Sequence, residues 1–409
     1  MSFYPYKTTW LAICMVVIAS LLYGFDFLIR DLPNLMHGIF MHHFNTQAAG
    51  LSMLSASFFY GYALTQIPVG MIGDRYGVRR ILILSALLCG TCMLLFSHTS
   101  NLSVAYLLRF IMGITAAFAY IGPLMLAAKW LPKKYFSLTT GTVQTIGCLG
   151  AIIGLKPLSM AITYYSWQFC LNTIGCGAII LALIFWSTIR ESESTSNASL
   201  NLRQLIHPIV KHTKLYRIAL LGFLIWAPMT IFTELWSIPF FMDHYHLTQN
   251  QASSYNSLIW IGIMIGGPLM GFLSTSFISK TTGLLIGFTC ILMSCLSIIY
   301  WQPVEPIWLS ISCLFFGIGA ATQCLTFGLI NDTCGTSTSG VMIGFQNMAI
   351  ILSGLMQPVT GYLLELNWTG KIIQKAPWYT LQAYQHMFLL IPGLALIGIG
   401  LLIWMRQKQ

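Results

Sequence analysis

Gly70-Met-Ile-Gly-Asp74-Arg75-Tyr-Gly77-Val-Arg79-Arg80 stands between two long apolar stretches, in a chain otherwise almost free of charge. Glycines and ionic residues are packed here into one short turn. A tight loop at a membrane surface needs glycine for its bend and basic residues to hold it on the cytoplasmic side. Composition agrees. The chain has 409 residues, 56% hydrophobic and 7% charged, with a mean hydropathy of +0.76. A soluble protein carries about 25% charged residues. Apolar residues spread along the whole length mean many membrane spans, not one large soluble core. A net charge of +10 would suit nucleic acid or an acidic partner. The basic residues lie in short loops between apolar runs, so the partner they imply is the lipid bilayer, and no nucleic acid is expected.

A span needs about 20 apolar residues. Such runs, read with their turn signals, predict twelve transmembrane helices and no strands, an all-α integral membrane protein. The first six cover 9–36, 48–72, 80–97, 101–130, 136–163 and 167–189; the last six cover 217–242, 250–277, 281–300, 304–331, 338–366 and 382–405. The polar stretch 190–216 separates two bundles, 1–189 and 217–409, and reads as a cytoplasmic linker with a short surface helix. With both termini inside, fifteen Lys and Arg fall on the inner side, only Lys371 and Lys375 on the outer side, and Arg30, Arg109 and Lys156 within spans. That asymmetry sets the orientation. The first apolar run lacks a small-residue cleavage site and carries ionisable residues, so it is expected as a retained helix, not a signal peptide.

The Gly70–Arg80 spacing resembles the signature loop between helices 2 and 3 of the major facilitator superfamily, with Val78 where a basic residue is usual. The resemblance implies two six-helix pseudo-repeats rocking around a central site, a monomer, and Gly70, Asp74, Arg75, Gly77, Arg79 and Arg80 as a gating loop. Internal offsets agree: Gly113 matches Gly317 at 204 residues, and Gly70 matches Gly271 and Pro157 matches Pro358 at 201, which pairs Lys156 with Gln357. Gly150-x-x-x-Gly154 and Gly262-x-x-x-Gly266 each allow a neighbouring backbone to approach.

Ionisable side chains within spans cost at least about 2.5 kcal/mol at the centre and normally face a cavity or a partner. On the first span Tyr23, Asp26, Phe27 and Arg30 share one helical face, so Asp26 and Arg30 can pair. Asp31 points elsewhere, near Pro33, and is expected at the interface. Arg109 fits the arginine that superfamily members carry in helix 4, where it implies proton coupling or packing. The fifth span resembles the opening of the helix-5 signature of drug–proton antiporters, but continues Leu155-Lys156-Pro157-Leu158. A buried ammonium there wants an anion, either a substrate carboxylate or a protein acid, which argues against drug efflux. Glu234 is expected as the proton-coupling group or the partner of a substrate amine.

These readings give a substrate site of Arg30, Lys156, Tyr23, Tyr60, Trp236 and Gln357, and proton-coupling residues Asp26, Glu234 and Arg109. Gln66, Gln144, Asn256, Gln323, Gln346 and Asn347 are expected partly to complete the cavity and partly to join helices. His42, His43, His244 and His246 read as solvated loop residues, not metal ligands. Cys89-x-x-Cys92 lies in an apolar helix and reads as core. No Gly-x4-Gly-Lys-Ser/Thr loop is present, so no cofactor is expected and an ion or solute gradient drives the chain. The expectation is a secondary transporter, not an enzyme, in a bacterial cytoplasmic membrane. Its solute would be small and anionic or zwitterionic: an amino acid, short peptide or carboxylate. Phe27–Pro33 and Glu234–Pro239 are similar to bacterial relatives of lysosomal dipeptide transporters. A multidrug or metabolite exporter and a non-transporting membrane sensor are the alternatives.

Overall fold

A computed structural model describes residues 6–66, 68–131, 136–190, 213–301, 305–334, 339–373 and 375–407. The expected linker falls outside the described residues over 191–212. Apart from one two-stranded hairpin, β1 (Ile372–Ile373) and β2 (Ala376–Pro377), the regular structure is helical.

The first six spans are α1 (Tyr6–Arg30) continued by α2 (Leu32–Leu35), α4 (Ala48–Thr65) with α5 (Val69–Tyr76), α6 (Val78–His98), α7 (Leu102–Trp130), α8 (Phe136–Tyr164) and α9 (Trp167–Thr188); a short α3 (His37–His43) follows α2. The seventh span is α10 (Thr213–Pro228), a π-helical segment Met229–Trp236 and α11 (Ser237–His244). The others are α12 (Gln249–Ser276), α13 (Lys280–Cys295) ending in a π turn, α14 (Pro306–Ala321) with α15 (Cys324–Cys334), α16 (Ser339–Ile351) with α17 (Met356–Leu366), and α18 (Leu381–Phe388) with α19 (Leu390–Gln407).

Among the described residues, eleven of these units are long and apolar enough to cross a membrane. The expected span 48–72 is the exception. Pro68 separates α4 from α5, and Ser52, Ser55, Ser57, Tyr60 and Tyr62 dilute the apolar character of α4. Capping side chains fix several helix starts. Asn101 accepts from Ser103 and Val104 N–H, Ser166 from Phe169 N–H, and Thr248 forms a capping box with Gln251. Gly77 joins α5 to α6 at φ +85°, a conformation that favours glycine.

Glycines set the tightest crossings. A Cβ on Gly113 would overlap the carbonyl of Phe58, and one on Gly61 the carbonyl of Phe110, which locks α4 against α7. The same device recurs about 200 residues later, where Gly317 meets Ile259 O and Gly262 meets Leu314 O between α12 and α14. The repeat expected from Gly113 and Gly317 is therefore a repeated helix crossing. Gly150 packs on Gly24, and Gly154 on Leu28, joining α8 to α1. Cys89 and Cys92 are buried in the core.

The first and last six spans meet along α4–α17 and α8–α12. Hydrogen bonds across this seam gather at the end away from the Arg75–Arg80 loop, the distal end. Asn34 Nδ2 donates to Thr233 O (2.6 Å) and Ser237 Oγ (3.0 Å), and its Oδ1 accepts from Ile238 N–H (3.0 Å). Ser159 donates to Asn250 (2.7 Å), and Ala49 N–H to Glu365 (2.8 Å). Beyond Asn34 lies a cavity of about 400 Å³, lined by His37, Asp243, Trp378 and Tyr384 among others.

Candidate functional site

Below that seal, the last turn of α1 and the π segment bring three expected residues together. Arg30 Nη2 donates to Asp26 Oδ2 at 3.0 Å, one helical turn away, and Nη1 to Glu234 Oε1 at 3.4 Å across the seam. All three are buried. The guanidinium lies over Phe27 at 4.7 Å, with Tyr62 at 5.5 Å and Phe59 at 5.6 Å from its carbon. A buried, paired and aromatically stacked arginine is a stable arrangement only because both charges and rings are satisfied together. The pairing leaves capacity unused, for Arg30 Nε, Asp26 Oδ1 and Glu234 Oε2 have no hydrogen-bond partner among the described residues.

Arg30 also lines a cavity of about 30 Å³. Its wall includes Tyr23, Tyr62, Tyr120, Gln144, Trp226, Gln323 and Asn347. That space holds a water or so, not an organic solute. Tyr23 OH donates to Gln144 Oε1 (3.4 Å), and Asn347 Nδ2 to Gln66 Oε1 (2.7 Å). Three of the six uncharged polar residues singled out in the sequence, Gln144, Gln323 and Asn347, thus form cavity wall. Gln66 anchors Asn347, and Gln346 joins helices by donating to Thr326 (2.9 Å). Asn256 is buried, and both its amide atoms are unpartnered among the described residues.

Arg109 stands one layer behind. Its Nη1 donates to Ile29 O (2.8 Å), its Nε to Leu54 O (3.4 Å), and its guanidinium lies 4.9 Å from Phe58. It pins the end of α1 to α4 and so positions Arg30.

Four expected site residues lie elsewhere. Lys156 is exposed. The α1-facing side of α8 is marked by Gly147, Gly150 and Gly154, and Lys156, two residues on, is rotated about 200° from Gly154. A buried ammonium beside the cavity is therefore corrected to a surface one. Tyr60 is half-buried on α4 and is not part of the cavity wall, to which α4 contributes Tyr62. Trp236 is buried, but its Nε1 donates to Thr360 Oγ1 (3.0 Å) and its ring packs on Tyr379 and Tyr384. Gln357 donates to Thr230 O (2.9 Å) and braces the π segment. Gln357 is buried where its offset partner Lys156 is exposed, so that repeat position is not equivalent in environment.

Asp31 is also corrected. It is fully buried, not interfacial, and its Oδ2 accepts from Trp260 Nε1 at 2.9 Å across the seam. His43 and His244 are packed, not solvated: His43 Nε2 lies 2.9 Å from Thr99 O, and His244 lies against Tyr384. Among the described residues no group of three or more His, Cys, Asp or Glu could hold a metal. In the Gly70–Arg80 loop, Arg79 donates to the carbonyl of Trp186 and so ties α6 to α9. Arg75 and Arg80 are exposed. The side chain of Asp74 lies outside the described residues.

The family model of the Major Facilitator Superfamily matches residues 16–358. The chain is 24% identical over 386 residues to the uncharacterized transporter YybO of Bacillus subtilis, covering 86% of this chain and 85% of that one. It is 22% identical over 346 residues to the probable sulfoacetate transporter SauU of Cupriavidus necator, covering 77% and 78%. Its fold is similar to that of a bacterial homologue of the human lysosomal transporter Spinster, with a TM-score of 0.75, 14% identity, and 100% and 98% of the two chains covered. The helices, the repeated crossings and the family match lead to one conclusion: this chain belongs to the Major Facilitator Superfamily, and it is a multi-pass membrane transporter, not an enzyme.

Proposed function

We propose that this protein carries a small organic anion, bearing a carboxylate or sulfonate, across a bacterial cytoplasmic membrane, with Arg30 as the group that binds it. The carrying observation is the one guanidinium that the described residues place on the cavity wall, buried yet with its Nε unpartnered among them. A planar fork of N–H donors recognises carboxylate and sulfonate oxygens in pairs. A similar chain named as a probable sulfoacetate transporter supports this substrate class. A zwitterion fits as well, with Asp26 or Glu234 receiving its amine.

Glu234 reaches Arg30 across the seam. An anion taking that edge of the guanidinium replaces a bridge between the two bundles, 1–189 and 217–409. Binding thereby loosens the seam at the site itself, the requirement for rocking around it. The anion adds a buried negative charge, and a proton taken up within the cluster offsets it. The basic-loop end then faces the cytoplasm, with both termini, and the unit is a monomer. An exporter of lipophilic cations fits less well. Lys156 no longer argues against it, but the arginine on the cavity wall does.

The test is exchange in proteoliposomes. Labelled sulfoacetate, dicarboxylates, amino acids and lipophilic cations are loaded in parallel against wild type and Arg30→Ala. Anion exchange lost in Arg30→Ala supports the reading. Exchange of lipophilic cations alone, unchanged by the substitution, sinks it.

A further inference from the structure

Three buried acids and two buried arginines lie at the seam or one layer behind it. Asp26 and Glu234 both hold Arg30. Arg109 gives its Nη1 and Nε to the backbone carbonyls of Ile29 and Leu54, and its Nη2 has no hydrogen-bond partner among the described residues. Asp31 is the acid left over. It has no ion pair among the described residues, its Oδ2 has one hydrogen bond, from Trp260, and its Oδ1 has none. With three acids to two arginines the cluster is one positive charge short, and Asp31 is the acid that no arginine pairs with among the described residues. A carboxylate in an apolar seam is neutralised or paired rather than left bare.

We infer that Asp31 is the residue that binds the coupling proton, and that Trp260 reports its state across the seam. This deepens the proposed function and rests on its coupling to protons. The chemistry is simple: the carboxylate takes H+ to become a carboxylic acid, and no other bond changes. Placement suits the role. Asp31 adjoins Arg30 in sequence and lies three residues before Asn34, whose bonds to Thr233, Ser237 and Ile238 close the distal seal. Opening that seal exposes Asp31 to distal water for loading. Closing it buries a neutral acid instead of an ion. On the other side Asp31 neighbours Glu234, whose free Oε2 offers a way to the cavity. The charged groups that act on it are Asp26 and Arg30 on α1, Arg109 on α7 and Glu234 on the π segment; α12 contributes the Trp260 N–H. Among the described residues Asp31 belongs to no group of three or more His, Cys, Asp or Glu that could hold a metal ion.

Two readouts test it in the full-length protein. The first needs no substrate: the fluorescence of Trp260, taken as wild type minus Trp260→Phe, is titrated with pH. One step is expected, absent in Asp31→Asn and kept in Glu234→Gln. No step in wild type, or a step that survives Asp31→Asn, overturns the inference. The second compares sulfoacetate exchange with uphill accumulation in proteoliposomes. Wild type accumulates up to about tenfold under a gradient of one pH unit with one proton per turnover. Asp31→Asn is expected to exchange normally and accumulate to a ratio of one. Wild-type accumulation by Asp31→Asn, or accumulation driven by sodium instead, overturns it. If Asp31→Asn does not fold, Asp31→Glu is expected to keep accumulation with a displaced pH profile, and an unchanged profile is the contrary result. A Trp260 step without wild-type anion exchange removes the Arg30 reading and leaves Asp31 standing.

Discussion

Arg30→Lys separates binding from folding at the central site. In the wild type two nitrogens of one guanidinium serve two acids on different helices, Asp26 at 3.0 Å and Glu234 at 3.4 Å. A lysine ammonium is one point, on a shorter reach. It keeps the charge, so neither acid is stranded, but it cannot offer an anion two parallel donors. The loss is about one charge-assisted hydrogen bond, roughly 1.5–3 kcal/mol. That converts to about 10- to 150-fold weaker anion binding. Arg30→Met is the contrasting variant. It leaves Asp26 and Glu234 buried without their partner, and breaking a buried pair costs about 3–5 kcal/mol. Isothermal titration with sulfoacetate and thermal melting in detergent read the two effects apart. Arg30→Lys should lose affinity with little change in melting temperature, and Arg30→Met should lose both. An Arg30→Lys protein that binds as tightly as wild type would show that the fork is not the anion site. An Arg30→Met protein that melts as wild type would show that the pairing does not hold the seam.

Three further outcomes follow from placement. Gly113→Ala forces a methyl into the carbonyl of Phe58 and should cost about 1–3 kcal/mol, whereas Gly141→Ala, with nothing within 4 Å, should be neutral or gain about 0.5–1 kcal/mol of helix propensity; equal melting temperatures for the two would contradict the crossing. Lys156→Ala, at an exposed position, should leave anion affinity within about twofold of wild type by titration, since surface charges contribute about 0–1 kcal/mol, and a tenfold loss would return Lys156 to the site. His37 lies beyond the first span, with its ring nitrogen 3.2 Å from Asn34 O, and burial pushes its imidazole down to about 4. A depressed histidine adds stability while neutral, so that contribution should be present above about pH 6.5 and drain away as pH falls toward 4; melting of wild type and His37→Gln should converge over that window, and parallel curves would count against it.

Periodicity and glycine spacing carried the reading of the helices a long way. Tyr23, Asp26 and Arg30 share a face because 3.6 residues make a turn, and no tertiary information is needed to pair the last two. Gly150 and Gly154 marked a close crossing for the same reason. Applied one step further, that rule places Lys156 on the opposite face; on α4 it is Tyr62, not Tyr60, that forms cavity wall. Both misplacements came from weighting residue type above helical phase. The π segment at Met229–Trp236 carried no such signal beyond Pro228 and Pro239 on its flanks. Within it the turn widens, so the phase of Glu234 and Trp236 cannot be counted from an α-helical repeat.

The sequence by itself determined that this chain is a bundle of membrane helices with its charges sorted by side, because lipid admits only internally bonded helices or closed barrels, and continuous apolar runs of about 20 residues fit the helix. It also picked out the few ionisable residues within the predicted spans, but not that Asp31 is buried. Only the tertiary structure decided how they are distributed: Glu234 against Arg30, Arg109 on backbone carbonyls, Trp260 on Asp31, and Lys156 facing outward. Residues more than 200 positions apart meet there, and whether a buried charge finds a partner depends on ångström-scale packing between helices, which no local pattern encodes.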